Sequence, residues 1–374
     1  MKEQIDLTIK PTMNCNISCK HCFNGNTFRD KEKLDVNLAI VLMEKACLEY
    51  RKVKVIFHGG EPTLVGMKFY SEFYKRQQEL QDQYGTIFEN HFTTNGILLT
   101  NDFIDLLHLN NVLINISFDG PFNDILRQQT EKVKEVIFNV RDKGCRIRCF
   151  CTITKESVLH LPEIYKWFKE NRLDFKTLPI EKRGFAKNAN NLIMSPEILA
   201  SKFEEMYQIW LYDKECNISY STMEEFTTLK RERPYKKEWF GRKITLHPNG
   251  QLFTFGRPND INYCLGNPSD INKISDCFET ESYKAFLTRL ETIRSSRCPK
   301  CFSKTICGGL NINISYLYED DLELIDYSCR QSTLIDKRII KINDEIVKKN
   351  ANGEGSEYND FVKKAFGYYQ HDAY

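Results

Sequence analysis

The sequence predicts an α/β chain: a partial (β/α)6 barrel, close to a TIM barrel with two units missing, followed by a small cysteine-rich unit. Three observations predict it. Strand-like runs alternate with helical patterns along the first half, Gly- and Asn-containing motifs follow those runs, and cysteines gather in two groups far apart in the chain. Strand–helix alternation is the signature of parallel βαβ units.

The strand-like runs are Ile5–Thr12, Lys54–Gly60, Glu89–Asn95, Val112–Asp119, Arg146–Thr154 and Asp174–Ile180. Each is rich in Val, Ile, Phe or Thr, and most stop at Gly, Asn or Asp. Leu34–Arg51, Met67–Tyr84, Asp102–Leu109, Thr130–Gly144 and Leu161–Asn171 read as the helices between them. The crossovers are long enough for parallel pairing. A doubly wound open sheet competes, but only a barrel brings all six strand ends around one mouth. The motifs share that face: a cysteine loop after strand one, Gly59-Gly60-Glu61-Pro62 after strand two, Thr94-Asn95-Gly96 at strand three and Ser117-Phe118-Asp119-Gly120-Pro121 at strand four. Barrel enzymes carry their chemistry there.

Beyond the barrel, Ser195–Glu215 reads as an amphipathic helix with Phe203, Met206, Tyr207 and Trp210 on one side, and Lys230–Lys237 as a charged bridge. Ile244 to Phe253 reads as a hairpin turning at Asn249-Gly250. After Cys329, the residues Ile335, Ile339, Ile342 and Ile346 mark another helix face. Asn350–Ser356 reads as a flexible linker. The last segment, with Phe361, Phe366, Tyr368 and Tyr369, is expected to be disordered, to fold over the site or to bind a partner. The expected division is a barrel over 1–195, linker helices over 196–240, the cysteine-rich unit over 241–335, and a helix and tail over 336–374.

Composition excludes several classes. The 374 residues carry 53 Lys and Arg against 51 Asp and Glu, with no block of one sign, so charge gives no support to a nucleic-acid partner. No apolar run approaches the ~20 residues a bilayer span needs, so no membrane partner is expected. Lys2, Glu3 and Asp6 make the start unlike a signal peptide. Fourteen cysteines without an export signal point to a reducing cytoplasm and to metal ligation rather than disulfides.

Cys15-x3-Cys19-x2-Cys22 is the most informative motif. Three thiolates so close on a loop can hold three irons of a four-iron cluster and leave the fourth iron open to an outside ligand. An electron-transfer cluster would be closed by a fourth cysteine, yet the next one, Cys47, falls in a helical pattern. Zinc with a distant His, or three buried thiols, are the alternatives. Gly59 and Gly60 let backbone approach a ligand closely, because neither carries a Cβ. Cys149 and Cys151 alternate along strand five and are expected as small apolar core residues, as are Cys47, Cys145, Cys216, Cys264 and Cys277. Downstream comes Cys298-x2-Cys301-x5-Cys307-Gly308-Gly309, and 21 residues separate Cys307 from Cys329. Four thiolates close either a tetrahedral zinc or a second four-iron cluster, and ligand count does not separate the two.

The cysteine loop and Gly59-Gly60-Glu61-Pro62 together resemble the radical S-adenosylmethionine (SAM) superfamily, in which SAM fills the open iron position. The resemblance implies an enzyme whose reduced [4Fe-4S] cluster, on Cys15, Cys19 and Cys22, donates an electron to SAM and releases a 5′-deoxyadenosyl radical. It further implies that Gly59, Gly60 and Glu61 lie along the SAM amino group, and that His21 faces the adenine where the family has an aromatic residue. Asn95, Ser117 and Asp119 match positions that bond SAM or order its pocket, with local turn bonding as the alternative, and Arg127 matches one that reaches its carboxylate.

Lys243 to Arg330 resembles the SPASM domain, the cysteine-rich extension of radical SAM peptide and protein maturases. Three ligand positions of the first auxiliary cluster in that domain fall here at or near Phe255, Ile271 and Asn311, none of which replaces a thiolate. One auxiliary [4Fe-4S] cluster is therefore expected, on Cys298, Cys301, Cys307 and Cys329. The implied substrate is a ribosomally made precursor peptide given a thioether or other cross-link, with a flavodoxin- or ferredoxin-type reductant. Ile5–Met13 also resembles maturases of cysteine-containing repeat peptides. Strand one begins within the first ten residues, so recognition is expected from a separate leader-binding protein, the SPASM-like unit or the tail. The rival readings are a sulfatase maturase forming formylglycine and a non-catalytic iron–sulfur or zinc protein that binds a peptide. Ile271-Asn272 stands where sulfatase maturases place an acidic residue beside a ligand cysteine.

Overall fold

Alternate residues of a strand face opposite ways, and the first strand shows what that does here. Ile5, Leu7 and Ile9 are fully buried, whereas Asp6 and Thr8 between them are only partly so. The structure, a computed structural model, describes residues 1–229, 241–254, 261–307, 321–352 and 357–371. Six strands run parallel: β1 (Lys2–Ile9), β2 (Tyr50–Phe57), β3 (Ile87–Thr94), β4 (Leu113–Ser117), β5 (Ile147–Ile153) and β6 (Phe175–Pro179). They lie side by side in chain order. A doubly wound sheet would reverse that order at a switch point. The one-way winding is that of a partial barrel.

The crossovers hold α1 (Val36–Glu49), α2 (Met67–Tyr84), α3 (Asn101–Leu109), the single turn α4 (Asn123–Leu126), α5 (Thr130–Asp142) and α6 (Leu161–Glu170). Every expected strand and helix of the first half is present, with ends displaced by a few residues. Aromatic rings seal the helix-facing side. Phe57 meets Tyr70 and Phe73 edge-on at 5.0 and 5.1 Å, and Phe168 stacks on Phe175 at 4.3 Å. Burying one such ring contributes ~1.5–3 kcal/mol. Cys149 and Cys151 are fully buried, and Cys149 pairs in register with Ile116 and Phe175. They are core residues, as expected. The opposite face is polar: Lys52, Lys54 and His91 all reach Glu89, at 2.6, 3.1 and 2.7 Å.

The C-terminal half comprises α7 (Pro196–Tyr212), α8 (Ser221–Thr227), β7 (Lys243–Leu246), β8 (Leu252–Thr254), α9 (Glu281–Arg297), α10 (Lys304–Cys307), α11 (Leu322–Ala351) and α12 (Asp360–His371). The expected hairpin is β7–β8, and Gly250 takes the left-handed φ of +80° that its turn requires. β7 pairs parallel to β1, so the hairpin extends the barrel sheet to eight strands. That attachment was not legible in the sequence. The division expected at residue 335 falls inside α11, because one helix runs from Leu322 through Cys329 to Ala351. α11 is fastened to α7 by Tyr207 Oη donating to Asn343 Oδ1 at 2.8 Å.

The expectation of a disordered or site-covering tail is corrected over the described part. Tyr358, Val362 and Phe366 recur every four residues and are buried. Asn359 donates its N–H to Leu211 O at 2.9 Å, and Phe361 lies 6.4 Å from Trp210, which docks α12 on α7. Lys230–Lys237, Gly308 and Gly309, and the side chains of Tyr368 and Tyr369, lie outside the described residues.

Candidate functional site

The loop after β1 carries Cys15, Cys19 and Cys22, all partly buried. Cys22 N–H donates to Cys19 O at 3.1 Å, and Gly25 N–H to Cys22 O at 3.1 Å, which winds the loop into consecutive turns. The turn after β2 grips this loop. Gly60 N–H donates to Thr12 O at 3.0 Å and Glu61 N–H to Asn14 O at 2.7 Å. A Cβ on Gly60 would stand 2.1 Å from Asn14 O, and one on Gly59, whose φ is +126°, would stand 2.5 Å from Thr12 O. The bare faces of both glycines are thus occupied by the cysteine loop itself. In this fold, what comes close to both glycines is protein backbone.

A second clamp was missed in the sequence. Phe185 N–H donates to Cys22 O at 3.1 Å, and a Cβ on Gly184 would stand 2.2 Å from the same oxygen. The chain after β6 therefore closes on the loop after β1. Its only sequence signal was a glycine a few residues past a strand end.

The three thiols feel one another's charge. Burial, helped by the charges of Glu61, Cys19 and Cys22 and opposed by the Ile17 N–H, takes Cys15 up to about 12. Burial raises Cys19 and Cys22 too, with the Arg127 guanidinium opposing. A bound cationic centre would reverse this and hold all three as thiolates.

Glu61 is fully buried. Its Oε1 accepts from Thr63 N at 3.1 Å, Thr63 Oγ1 at 2.8 Å and Thr94 Oγ1 at 2.8 Å, and its Oε2 from Asn95 N at 2.8 Å. This carboxylate ties the turn after β2 to the end of β3. Asn95 donates through Nδ2 to Asn16 Oδ1 at 2.8 Å and lies 3.8 Å from Cys15 Sγ. It stands at the cysteine loop.

Asp119 is buried and pairs with Arg127, which is mostly buried. Arg127 Nε meets Asp119 Oδ2 at 2.8 Å, its Nη2 donates to Thr152 Oγ1 at 3.1 Å, and Asp119 Oδ1 accepts from Thr152 N at 2.6 Å. The guanidinium expected at a SAM carboxylate is engaged with Asp119 at the end of β4 and Thr152 on β5. His21 has a buried Nδ1 without a hydrogen-bond partner among the described residues. Burial, and then Arg127, push its imidazole well below the usual range, so it is neutral. Ser117 ends β4 opposite Phe150. At the neighbouring strand ends, Lys10 Nζ lies 3.2 Å from His247 Nε2, and both are buried. Sequence reading did not single out this pair.

The second cysteine group also converges. Cys298 caps the end of α9, Cys307 ends α10 and Cys329 lies on α11. Burial pushes Cys329 up to about 12, followed by the charges of Cys307, Cys298 and Cys301. Cys301 Sγ lies 3.7 Å from Thr333 Oγ1 on α11. Among the described residues, no three His, Cys, Asp or Glu side chains are arranged to hold a single metal ion. A cubane, which gives each thiolate its own iron, sets its ligands further apart than one ion does. Both cysteine groups fit that donor set. Ile271 is buried, and its carbonyl accepts from Lys45 Nζ on α1, so ordinary packing fills that position. Phe255 and Asn311 lie outside the described residues.

Residues 9–168 match the Radical SAM superfamily. The chain carries a radical SAM domain, of a family whose members are enzymes that use a [4Fe-4S] cluster and SAM. It is 23% identical over 361 residues to the cysteine-type anaerobic sulfatase-maturating enzyme of Clostridium perfringens, across 87% of this chain and 94% of that one. The Clostridium novyi enzyme of the same description is 24% identical over 230 residues, 56% of this chain and 61% of that protein, so there the match spans less than two thirds of the relative. Among solved structures, anSMEcpe with bound AdoMet and Cp18Cys peptide superposes with a TM-score of 0.74 at 19% identity, over 91% of this chain and 99% of that one. Streptococcus suis SuiB bound to precursor peptide SuiA gives 0.61 at 17% identity, over 82% and 72%. At these identities the structures speak for the fold. No helix among the described residues is long and apolar enough to cross a membrane.

Proposed function

We propose that this enzyme modifies a ribosomally made peptide, installing a thioether or another cross-link after hydrogen abstraction. The carrying observation is the clamped loop: Cys15, Cys19 and Cys22 lie between the Gly59–Gly60 turn and Gly184, with Cys47 set apart as a buried residue of α1. Those three thiolates would hold the catalytic cluster, which together with SAM supplies the 5′-deoxyadenosyl radical when bound. The protein's own part is positional. Glu61 and Asn95 fix the loop, Arg127 and Asp119 brace its other side, and neutral His21 offers a ring surface for the adenine. Cys298, Cys301, Cys307 and Cys329 would hold one closed auxiliary cluster.

A peptide substrate is supported by similar folds solved with peptides bound, among them anSMEcpe with Cp18Cys and SuiB with SuiA. A flavodoxin- or ferredoxin-type protein would supply electrons in the cytoplasm, and a separate leader-binding protein would assist recognition. Sulfatase maturation is the second reading, favoured by the similarity to the Clostridium enzymes. Against it, Ile271-Asn272 stands where those enzymes place their acidic residue, and Asn272 is exposed with its N–H donated to Asp276.

The test is anaerobic reconstitution followed by reduction with SAM, then mass spectrometry of a candidate precursor peptide after co-expression. Release of 5′-deoxyadenosine, with peptide mass falling in units of two hydrogens, supports cross-linking. Conversion of one Cys or Ser to an aldehyde would establish the sulfatase-type reading instead. Absence of 5′-deoxyadenosine would defeat both.

A further inference from the structure

We propose that Arg127 is a positioning residue for the electrostatics of the N-terminal cluster, a fixed positive charge held against Cys19 that makes the cluster easier to reduce. This rests on the reading that Cys15, Cys19 and Cys22 hold that cluster. Geometry carries it. Lys20 N–H donates to Leu126 O at 3.1 Å, which pins the backbone beside Cys19 to the backbone beside Arg127. Arg127 N–H in turn donates to Asn123 O at 2.9 Å, and Asn123 Oδ1 accepts from Asp119 N at 3.1 Å. The guanidinium cannot swing away, because Asp119 takes its Nε and Thr152 its Nη2. Held so, it reaches Cys19, with which it shares a side-chain hydrogen bond, and its charge is also felt at His21 and Cys22.

A guanidinium keeps its charge at any working pH, and burial leaves its field largely unscreened. Reduction adds one negative charge to the cluster, so a nearby fixed cation stabilises the reduced form and raises the potential. Asp119 tempers the effect. The two residues are therefore expected to move the potential in opposite directions, which neither a purely structural pair nor a pair of SAM ligands would do.

The experiment is a redox titration of the full-length, anaerobically reconstituted protein without SAM, followed by electron paramagnetic resonance. The signal that later SAM addition perturbs identifies the N-terminal cluster. Arg127→Gln is expected to move its midpoint to more negative potential, Arg127→Lys to stay close to wild type, and Asp119→Asn to move it positive. An unchanged midpoint in Arg127→Gln, with only SAM affinity reduced, overturns the proposal in favour of a carboxylate ligand. Should Arg127→Gln fail to load iron, Asp119→Asn decides by the sign of its shift. Loss of iron in all three variants overturns the proposal in favour of a folding role. A wild type that takes up no iron at the triad instead removes the cluster reading beneath it.

Discussion

Glu61 Oε2 accepts the backbone N–H of Asn95 at 2.8 Å, and this bond joins the end of β2 to the end of β3 beneath the cysteine loop. Its other oxygen takes both polar groups of Thr63 and the hydroxyl of Thr94. Burial pushes the carboxyl up, and these donors pull it down. Glu61→Gln would turn an amide NH2 toward groups that are themselves donors. A buried mismatch of this kind costs ~1–3 kcal/mol. Chemical denaturation of the apoprotein should show a loss of that size. A variant as stable as wild type would mean that the carboxylate is not the tie described here.

Gly60 and Gly184 should be more demanding than their neighbours. A methyl on either would meet carbonyl oxygen at 2.1 or 2.2 Å, and the oxygen belongs to the cysteine loop in both cases. Overpacking costs ~1–3 kcal/mol, and the backbone that must give way carries the thiols. Gly60→Ala and Gly184→Ala are expected to take up less iron on anaerobic reconstitution. Gly241→Ala is the control, since its new methyl would touch only Phe278 at 3.7 Å. Equal iron in all three would refute the clamp.

What the sequence made legible follows from local physics. The alternation of Ile5, Leu7 and Ile9 with polar residues marks a strand whatever lies beside it, and three closely spaced cysteines mark their loop. Contacts between distant segments carried no such mark. Lys10 and His247 are 237 positions apart, and nothing in either segment says that β7 will take the free edge of β1. Arg127 was read by its place in a motif, but its geometry depends on Thr152 from the next strand. The tail misled because its buried face rests on Tyr358 and Val362 as well as Phe366, a four-residue spacing that Phe361, Phe366, Tyr368 and Tyr369 alone do not show.

Acid should weaken this fold partly through His247. Burial, then Lys10, push its imidazole down to about 2, against 6.5 for an ordinary His. Below about 6.5 the unfolded chain takes up a proton that the folded one refuses. The stability tied to this residue is therefore whole above that pH and drains as pH falls toward 2. His247→Gln keeps an acceptor for Lys10 and cannot titrate. Its melting temperature should fall less than that of wild type between pH 7 and pH 5. The slope should shrink without vanishing, because His21 and His91 are also held below their usual range. Parallel slopes for the two proteins would contradict the assignment.

The second cysteine group admits a metal-specific test. Cys298 and Cys301 close one side of the set and Cys329 on α11 the other, so a bound centre would pin α11 to the end of α9. Two [4Fe-4S] clusters correspond to about eight irons per chain, and the double variant Cys298→Ala, Cys301→Ala should retain about four. The remaining iron should still respond to SAM, since the N-terminal triad lies on a separate loop after β1. Because α11 is also fastened to α7 through Tyr207 and Asn343, the variant is expected to stay folded. Iron content unchanged, with zinc lost from the protein, would assign this group to a structural zinc.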